Sequence, residues 1–436
     1  MPYFEQLPAI LRVLIVFAVI LAAIKKRVSL GNAFFFGALL MGWMFGLGPV
    51  SMLRVVFSAL TDPKTASLSA IVSLILVFSH SMELGGQMER LLERFKGLVV
   101  HPKINLVVFP ALIGLLPMPG GAIFSAPMVK SLGQRMELSG SQLSYINYWF
   151  RHIWEYWWPL YPGVLLATTL ARIDIWVFVL FLFPLTTVAL FVGYWPLKVL
   201  NGRTKTQRDP HPCLSWATVL PFVSELAPIL LVIGLGLGLG VVLSFFLSSY
   251  GWTVTKELGL IIALIFAILW VWRRNRLSLL QRRQILTQPQ LLGMIYMVAA
   301  ILVFKEMLEG SLAVEAISRE LLEWRVPLMS ITVILPFLVG GIVGITIAFV
   351  GTTFPILISL IHAFGETRFM LPYMMLALAS GFVGVLLSPL HLCLLLSNEY
   401  FGTSLGPVYK HLWLPCIVLL LTGCVYFLVL HSFLGT

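Results

Sequence analysis

Long apolar runs separated by short polar loops account for most of this chain. A run of about 20 apolar residues is long enough to cross a bilayer as a helix, and runs of this order recur from residue 7 to residue 430. Two stretches, 83–98 and 309–325, instead carry apolar residues on one helical face only, which predicts helices lying in the membrane interface. The ten predicted spans cover residues 7–24, 30–50, 66–82, 143–170, 175–197, 220–247, 258–272, 291–308, 370–397 and 412–430.

One apolar region, residues 104–132, cannot be a continuous helix. Its centre holds Pro117, Pro119 and Pro127 together with two adjacent glycines. Each proline removes a backbone donor and clashes with the preceding turn, and lipid leaves the freed backbone groups without partners. We therefore predict a re-entrant helical hairpin over 104–132. A proline-kinked helix without a ligand is the alternative.

The second half of the chain repeats the features of the first half in the same order. The offset is about 226–230 residues, and it predicts a second re-entrant hairpin over 328–361. Two repeats, 1–205 and 206–436, would each contain five spans, so they would be inverted relative to each other. Paired interrupted segments of this kind indicate the binding site of a transporter. The matched positions are Leu76 and Leu302, Phe109 and Leu335, Ser125 and Thr353, and Pro159 and Pro389.

Composition makes the protein an all-α polytopic membrane protein. The chain of 436 residues is 59% hydrophobic and only 11% charged, whereas soluble domains carry about 25% charged residues. The net charge of +11 lies in short loops, which argues against nucleic-acid binding. Most basic residues fall on one side of the predicted topology, so we expect both termini outside a plasma or inner membrane. The four cysteines show no ligand spacing, and we expect neither a metal nor another cofactor.

Small residues at the two predicted hairpin tips are the first candidates for substrate binding. Helix breaks expose N–H groups and carbonyls, glycines permit close backbone approach, and hydroxyls donate or accept hydrogen bonds. The alternative is that these residues only allow tight helix packing. The six candidates are Gly120, Gly121, Ser125, Gly351, Thr352 and Thr353.

Three polar residues inside the fourth predicted span are the second set of candidates. Charged groups within a membrane are costly and mark ion or substrate paths. Arg151 suits a carboxylate or oxyanion substrate, and His152 and Glu155 suit proton coupling. Arg151 and Glu155 are four residues apart on one helical face and are expected to pair, so a purely structural ion pair is the alternative. Weaker candidates are Asn147, Tyr161, Ser388 and His391.

The chain resembles known membrane proteins in two motifs. Repeated halves with an interfacial helix, a hairpin and a broken helix resemble the ion-transporter superfamily. The run from Pro117 to Met128, followed by Trp154–Pro159, resembles the family called domain of unknown function 401. The resemblance implies a homodimer in which transport domains move against fixed scaffolds. Sodium-coupled members carry Ser-Asn-Thr at the tips, whereas this chain has Gly-Gly-Ala and Gly-Thr-Thr, so a proton is favoured over sodium.

These observations predict a secondary active transporter of a small organic or inorganic anion, working by alternating access with an elevator-like motion and coupled to protons. The alternative is a cation/proton antiporter on the same scaffold. A membrane-embedded enzyme ranks third, because the chain lacks a zinc-protease motif, a nucleophile elbow and paired intramembrane aspartates. We expect the partners to be the small substrate, membrane lipid and a second copy of the chain.

Overall fold

The computed structural model describes residues 7–96, 98, 102–118, 121–134, 136–198, 216–247 and 255–435. These residues form twenty α-helices and one short 3₁₀ helix, and they contain no strand. The prediction of an all-α protein is therefore confirmed for the described part of the chain.

Ten helices belong to the first half of the chain. Pro49, Pro63 and Pro162 each occupy the first position of a helix, where the missing N–H costs nothing. The helices are α1 (Ala9–Lys25), α2 (Leu30–Met44), α3 (Pro49–Thr61), α4 (Pro63–Leu84), α5 (Gln87–Lys96), α6 (Pro102–Ile113), α7 (Ala122–Gln134), α8 (Gly140–Arg151), α9 (Pro162–Ala171) and α10 (Ile175–Lys198).

Ten further helices follow in the second half. Ser278 begins α13 with a capping box, in which its side chain and that of Gln281 satisfy each other's backbone N–H groups. The helices are α11 (Trp216–Leu247), α12 (Thr255–Arg274), α13 (Leu279–Leu286), α14 (Pro289–Gly310), α15 (Ala313–Glu323), α16 (Leu328–Val343), α17 (Thr346–Ala363), α18 (Met370–Leu386), α19 (Leu392–Tyr400) and α20 (Leu405–Gly435).

Several of these helices have the character of membrane spans. Seven helical segments among the described residues are long and apolar enough to cross a membrane. Large apolar side chains such as Phe191, Trp216 and Phe245 are more than three-quarters exposed on this surface, as expected where lipid replaces water. The seven segments are Pro63–Leu84, Ile175–Trp195, Trp216–Phe246, Leu279–Gly310, Thr346–Ala363, Thr367–Leu386 and Leu405–Leu434.

Two of the predicted spans are not continuous helices. Within 143–170, α8 ends at Arg151 and α9 begins at Pro162. Within 370–397, α18 ends at Leu386 and α19 begins at Leu392. Both segments are therefore pairs of half-helices. A proline lies in each break, Pro159 in the first and Pro389 in the second. The exposed ends of the half-helices bring backbone groups into the protein interior.

The two predicted hairpins are helix pairs, and their tips differ. Helices α6 and α7 are joined by residues 114–121, whereas α16 and α17 are joined only by Gly344 and Ile345. Gly344 has a φ of 70°, a left-handed conformation that favours glycine. The placement of Gly351–Thr353 at the second tip is therefore wrong. These residues lie within α17, which begins about one turn earlier than the repeat predicts because the sequence from Ile345 to Gly351 contains neither a proline nor adjacent glycines.

Close glycine contacts hold the second hairpin against the broken helix α18. A Cβ atom added to Gly340 would collide with the carbonyl oxygen of Gly381, and one added to Gly384 would collide with that of Phe337. The backbones of α16 and α18 therefore touch directly, with no side chain between them.

Helix contacts cross repeatedly between the two halves. Helix α2 packs on α14, and α4 packs on α12. Helix α5 packs on α11, and α15 packs on α1. Likewise, α9 packs on α17, and α19 packs on α7. These six contacts form three matched pairs, in which each helix of one half is replaced by the helix ten numbers away in the other half. The contact of α2 with α14, for example, corresponds to that of α12 with α4. The hairpins and the broken helices meet in the middle of this arrangement.

Candidate functional site

Five polar residues meet where the first helix break faces the start of α19. We call Arg151, His152, Glu155, His391 and Cys393 the central cluster. None of them is more than 9% exposed. Arg151 ends α8, His152 and Glu155 lie in the break that follows it, and His391 and Cys393 lie at the N-terminus of α19. The cluster is therefore built from both halves of the chain.

Arg151 joins the tip of the first hairpin to α19. Its Nη2 donates to the carbonyl oxygen of Met118 at 2.6 Å, and its Nη1 donates to Cys393 Sγ at 3.4 Å. Its Nε is buried and has no hydrogen-bond partner among the described residues. A Cβ atom on Gly121 would lie 2.5 Å from Nη2, so the absence of a side chain at Gly121 makes room for the guanidinium.

His152 and His391 face each other across the cluster. His152 Nδ1 lies 2.6 Å from the carbonyl oxygen of Tyr148, and His391 Nδ1 lies 2.9 Å from that of Gly344. A carbonyl oxygen only accepts, so both Nδ1 atoms carry a hydrogen. The two Nε2 atoms are then left with their lone pairs pointing inward, and they lie 3.0 Å apart.

Glu155 contacts the second hairpin rather than Arg151. Its Oε1 accepts a hydrogen bond of 2.6 Å from the hydroxyl of Thr346, the first residue of α17. Its Oε2 lies 3.7 Å from His152 Nε2. The predicted pair between Arg151 and Glu155 is absent from the ion pairs of the described residues, because α8 ends at Arg151 and the four-residue helical spacing does not continue beyond it.

Asn147 links the tip end of α7 in the first hairpin to α19. It accepts a hydrogen bond of 2.6 Å from Ser125, and it donates to the carbonyl oxygen of Ala122 and to Ser397, both at 2.9 Å. Ser125, Asn147 and Ser397 are fully or almost fully buried. The structure thus brings two of the predicted site residues, Ser125 and Asn147, into direct contact near the first tip.

The remaining predicted site residues occupy different places. Gly120 lies outside the described residues. The hydroxyls of Thr352 and Thr353 donate to carbonyls of their own helix, and a Cβ on Gly351 would collide with Ile301 of α14. Ser388 lies beside the second tip, since its Oγ would be 2.8 Å from a Cβ on Gly344. The structure therefore separates Gly351–Thr353 from the cluster and places Ser388 close to it.

Three buried donors around the first break have no hydrogen-bond partner among the described residues. They are Arg151 Nε and the indole nitrogens of Trp157 and Trp158. A buried donor without a partner costs about 1–3 kcal/mol. An anion bound in this region would supply acceptors.

A cavity of about 490 Å³ opens beside the cluster rather than within it. Pro159 and Leu160, at the end of the first break, form part of its wall. Lys64, Arg172 and Glu257 also line it, so charged side chains from three further segments face this space. The cavity provides an approach from outside the bundle to the broken helix.

Three residues of this region cannot be connected to the site from the sequence. The cysteines show no ligand spacing, no sequence feature singles out Thr346, and His391 is only a weaker candidate. The one available signal is the recurrence of Pro159-Leu160-Tyr161 as Pro389-Leu390-His391. The contacts that make these residues important span 191 to 242 residues of sequence, which no local spacing reveals. Among the described residues, His152, His391 and Cys393 could hold a metal ion, because their ligand atoms lie within 4.8 Å of one another.

Comparison with known proteins gives one match. A family model described as "Protein of unknown function (DUF401)" matches residues 8–430, nearly the whole chain. No curated protein matches the chain.

Proposed function

The chain belongs to the DUF401 family, and from this premise we propose that it is a secondary active transporter of a small organic or inorganic anion. The observation that carries the proposal is the buried guanidinium of Arg151. It lies between a hairpin tip and the start of a half-helix, and its Nε has no partner among the described residues. Arginine binds planar oxyanions with paired donors.

Two further features support an anion as the substrate. The unpartnered indole donors of Trp157 and Trp158 add to the need for acceptors near the break. Arg151 also makes no hydrogen bond to Glu155, which bonds to Thr346 instead.

We further propose that the chain consists of two inverted repeats, 1–205 and 206–436, within the ion-transporter superfamily. The helix contacts that recur with both numbers changed by ten support this arrangement. Helices α6 and α7 have 12 and 13 residues, which is about 18–20 Å of helix, shorter than the hydrocarbon core of about 30 Å. Their length supports a hairpin that enters and leaves on the same side.

The proposed cycle is an elevator-like alternating access in a homodimer of the cell membrane, with both termini outside. The hairpins and the broken helices would carry the substrate together, because they are bonded to each other. Tyr161 donates to the Gly114 carbonyl at 2.8 Å, and Trp154 donates to that of Ala111 at 2.7 Å. Coupling to protons through Glu155 and His152 is part of the proposal. Sodium is disfavoured because neither residues 114–121 nor the second tip, Gly344-Ile345, contains Ser-Asn-Thr.

A solid-supported-membrane current from purified protein in liposomes tests the proposal. Small carboxylates and inorganic oxyanions would be applied one at a time, with and without pH and sodium gradients. We expect at least one anion to evoke a current that Arg151→Ala abolishes. The matched control is Arg12→Ala, since Arg12 also lies on an apolar helix but contacts Phe45 and the Met44 carbonyl. Currents that Arg151→Ala leaves unchanged would overturn the proposal.

A cation/proton antiporter is the second candidate. It is favoured by the buried carboxylate of Glu155, which lies beside a histidine and is not paired with an arginine. In that case no anion would evoke a current. Proton movement driven by a sodium or potassium gradient would disappear in Glu155→Gln and persist in Arg151→Ala.

A further inference from the structure

The space between His152 and His391 can hold a positive species. Both Nδ1 hydrogens are committed to backbone carbonyls, so both Nε2 lone pairs point at each other over 3.0 Å. Two lone pairs at this distance repel unless a positive species lies between or beside them. The guanidinium of Arg151 lies beside one of them, with Nη1 3.4 Å from His152 Nε2, and a shared proton or a metal ion would lie between the two nitrogens.

A third group beside the two histidines, Cys393, decides between a shared proton and a metal ion. Cys393 Sγ lies within 4.8 Å of both Nε2 atoms, and a shared proton needs no such neighbour. Arg151 Nη1 donates to the same sulfur, which stabilises the thiolate form that binds metals. The Nδ1–H to carbonyl bonds are the usual outer contacts that orient histidine ligands. We propose that His152, His391 and Cys393 bind a single Cu(I) ion.

Ligand type and ligand number select Cu(I). A thiolate with two imidazoles favours soft or borderline ions over oxygen-seeking ones such as Mg²⁺. Zn²⁺ almost always takes four ligands, whereas Cu(I) accepts three, and His152, His391 and Cys393 are the three candidate ligands that lie together among the described residues.

The ligand geometry needs only a small adjustment. Metal–nitrogen distances in histidine sites are about 2.0–2.1 Å, which places two ligand nitrogens about 3.3–3.5 Å apart. The rings of His152 and His391 would have to separate by about 0.3–0.5 Å. The rings meet edge to face, with centroids 4.8 Å apart, and this arrangement permits such a movement. The proposal does not depend on transport, and it replaces the sequence-based expectation that no metal binds. A bound ion would occupy His152 Nε2 while its Nδ1 stays bonded to the Tyr148 carbonyl, so proton coupling would then fall to Glu155 alone.

Copper binding by the purified full-length protein tests the site. The wild type in detergent would be equilibrated anaerobically with Cu(I) held by a competing chelator, and in a parallel series with Zn²⁺. We expect one Cu(I) per chain in the wild type. We expect Cys393→Ser and His391→Gln to weaken Cu(I) binding at least about 100-fold. The loss of a residue that only orients a metal ligand would weaken it by about 10- to 100-fold.

Two matched variants control for the substitutions themselves. Cys416→Ser changes a buried cysteine outside the cluster, and His362→Gln changes an exposed histidine that contacts Thr367. Both should bind Cu(I) as the wild type does. X-ray absorption at the copper edge of the wild type should show two nitrogen ligands and one sulfur, and this readout stands even if a variant fails to fold.

Three results would overturn the proposal. Copper binding that Cys393→Ser and His391→Gln leave unchanged would identify adventitious metal. Zn²⁺ bound at these ligands in place of Cu(I) would refute the choice of ion. A wild type that binds neither ion would leave the shared proton as the occupant. None of these results bears on anion currents, so failure here is distinct from failure of the proposed transport function.

Discussion

Two polar clusters in this protein differ in how their charges are satisfied. The peripheral cluster lies between α5, α11 and α12, around Glu225, Arg274 and Arg90. Arg274 contacts one oxygen of Glu225 at 3.1 Å, and Arg90 contacts the other at 3.5 Å. Gln87 and Asn275 complete the network through bonds to the Glu225 carbonyl and to each other.

The central cluster holds charges of both signs without a hydrogen bond between them. Arg151 donates to the Met118 carbonyl and to Cys393, its Nη1 also lies 3.4 Å from His152 Nε2, and its Nε is without a partner among the described residues. Glu155 bonds to a hydroxyl. Since unpaired buried charge is costly, the contrast separates a network that holds helices together from one that is left incomplete for ligands. The central cluster is also the more buried of the two, because Arg151 is 2% exposed whereas the Arg90 and Arg274 side chains are 37% and 25% exposed.

The sharpest test of this contrast is Arg151→Met. We expect transport to fall about 100-fold or more, because a charge facing the substrate is lost. The unfolding free energy should change by less than about 1 kcal/mol, since removing an unpaired buried charge also removes its desolvation cost. Anion-evoked currents and SDS-induced unfolding in mixed micelles measure the two effects. A large loss of stability with normal transport would reverse the roles assigned to the clusters.

Arg274→Met should have the opposite profile. Glu225 would keep Arg90 but lose a charge-assisted hydrogen bond, so we expect a loss of stability of about 2 kcal/mol. The substrate concentration that gives half-maximal current should not change. The same unfolding assay measures the loss, and an altered substrate affinity would show that the peripheral cluster takes part in binding.

Gly121→Ala tests the space beside the guanidinium. The new Cβ would lie 2.5 Å from Arg151 Nη2 and 3.1 Å from its Nε, so the guanidinium must move away from the Met118 carbonyl. We expect the substrate affinity to fall about 10-fold, which corresponds to about 1.4 kcal/mol. Gly406→Ala is the matched control, because its Cβ would meet nothing within 4 Å. Equal effects of the two substitutions would remove the argument for Gly121.

Ser125→Ala should have the smallest effect. The variant loses the 2.6 Å bond to Asn147, but Asn147 keeps its bonds to Ala122 and Ser397. We expect a loss of about 1 kcal/mol in stability and a change in substrate affinity of less than about threefold. A larger affinity change, measured from current against substrate concentration, would place the Ser125 hydroxyl in contact with the substrate.

Much of the fold follows from the apolar pattern. The runs around Ile175–Lys198, Pro289–Gly310 and Leu405–Gly435 form long helices close to their predicted positions, because length and composition alone decide such spans. The break near Pro159 was also predicted, since proline removes a donor wherever it stands. These features depend on local chemistry, which the sequence carries directly.

The parts that the sequence did not predict depend on distant contacts. The second hairpin turns at Gly344, whose left-handed conformation is supported by the packing of Ser388 and His391 against it. The pairing of Arg151 with Glu155 failed because α8 ends at Arg151, four residues before Glu155. Cys393 gained its neighbours only when α19 packed beside α8. No local pattern could give these three results.

The direct backbone contact between α16 and α18 affects how a saturation-mutagenesis experiment on this protein would be interpreted. At Gly340, Gly381 and Gly384 even an alanine methyl group collides with a neighbour. A growth selection would score these glycines as intolerant as Arg151, and the two helices would look like a ligand pocket. Measuring the amount of folded protein at the cell surface together with growth would separate the glycine variants from the Arg151 variants. The glycine variants would be missing from the surface, whereas the Arg151 variants would be present but inactive.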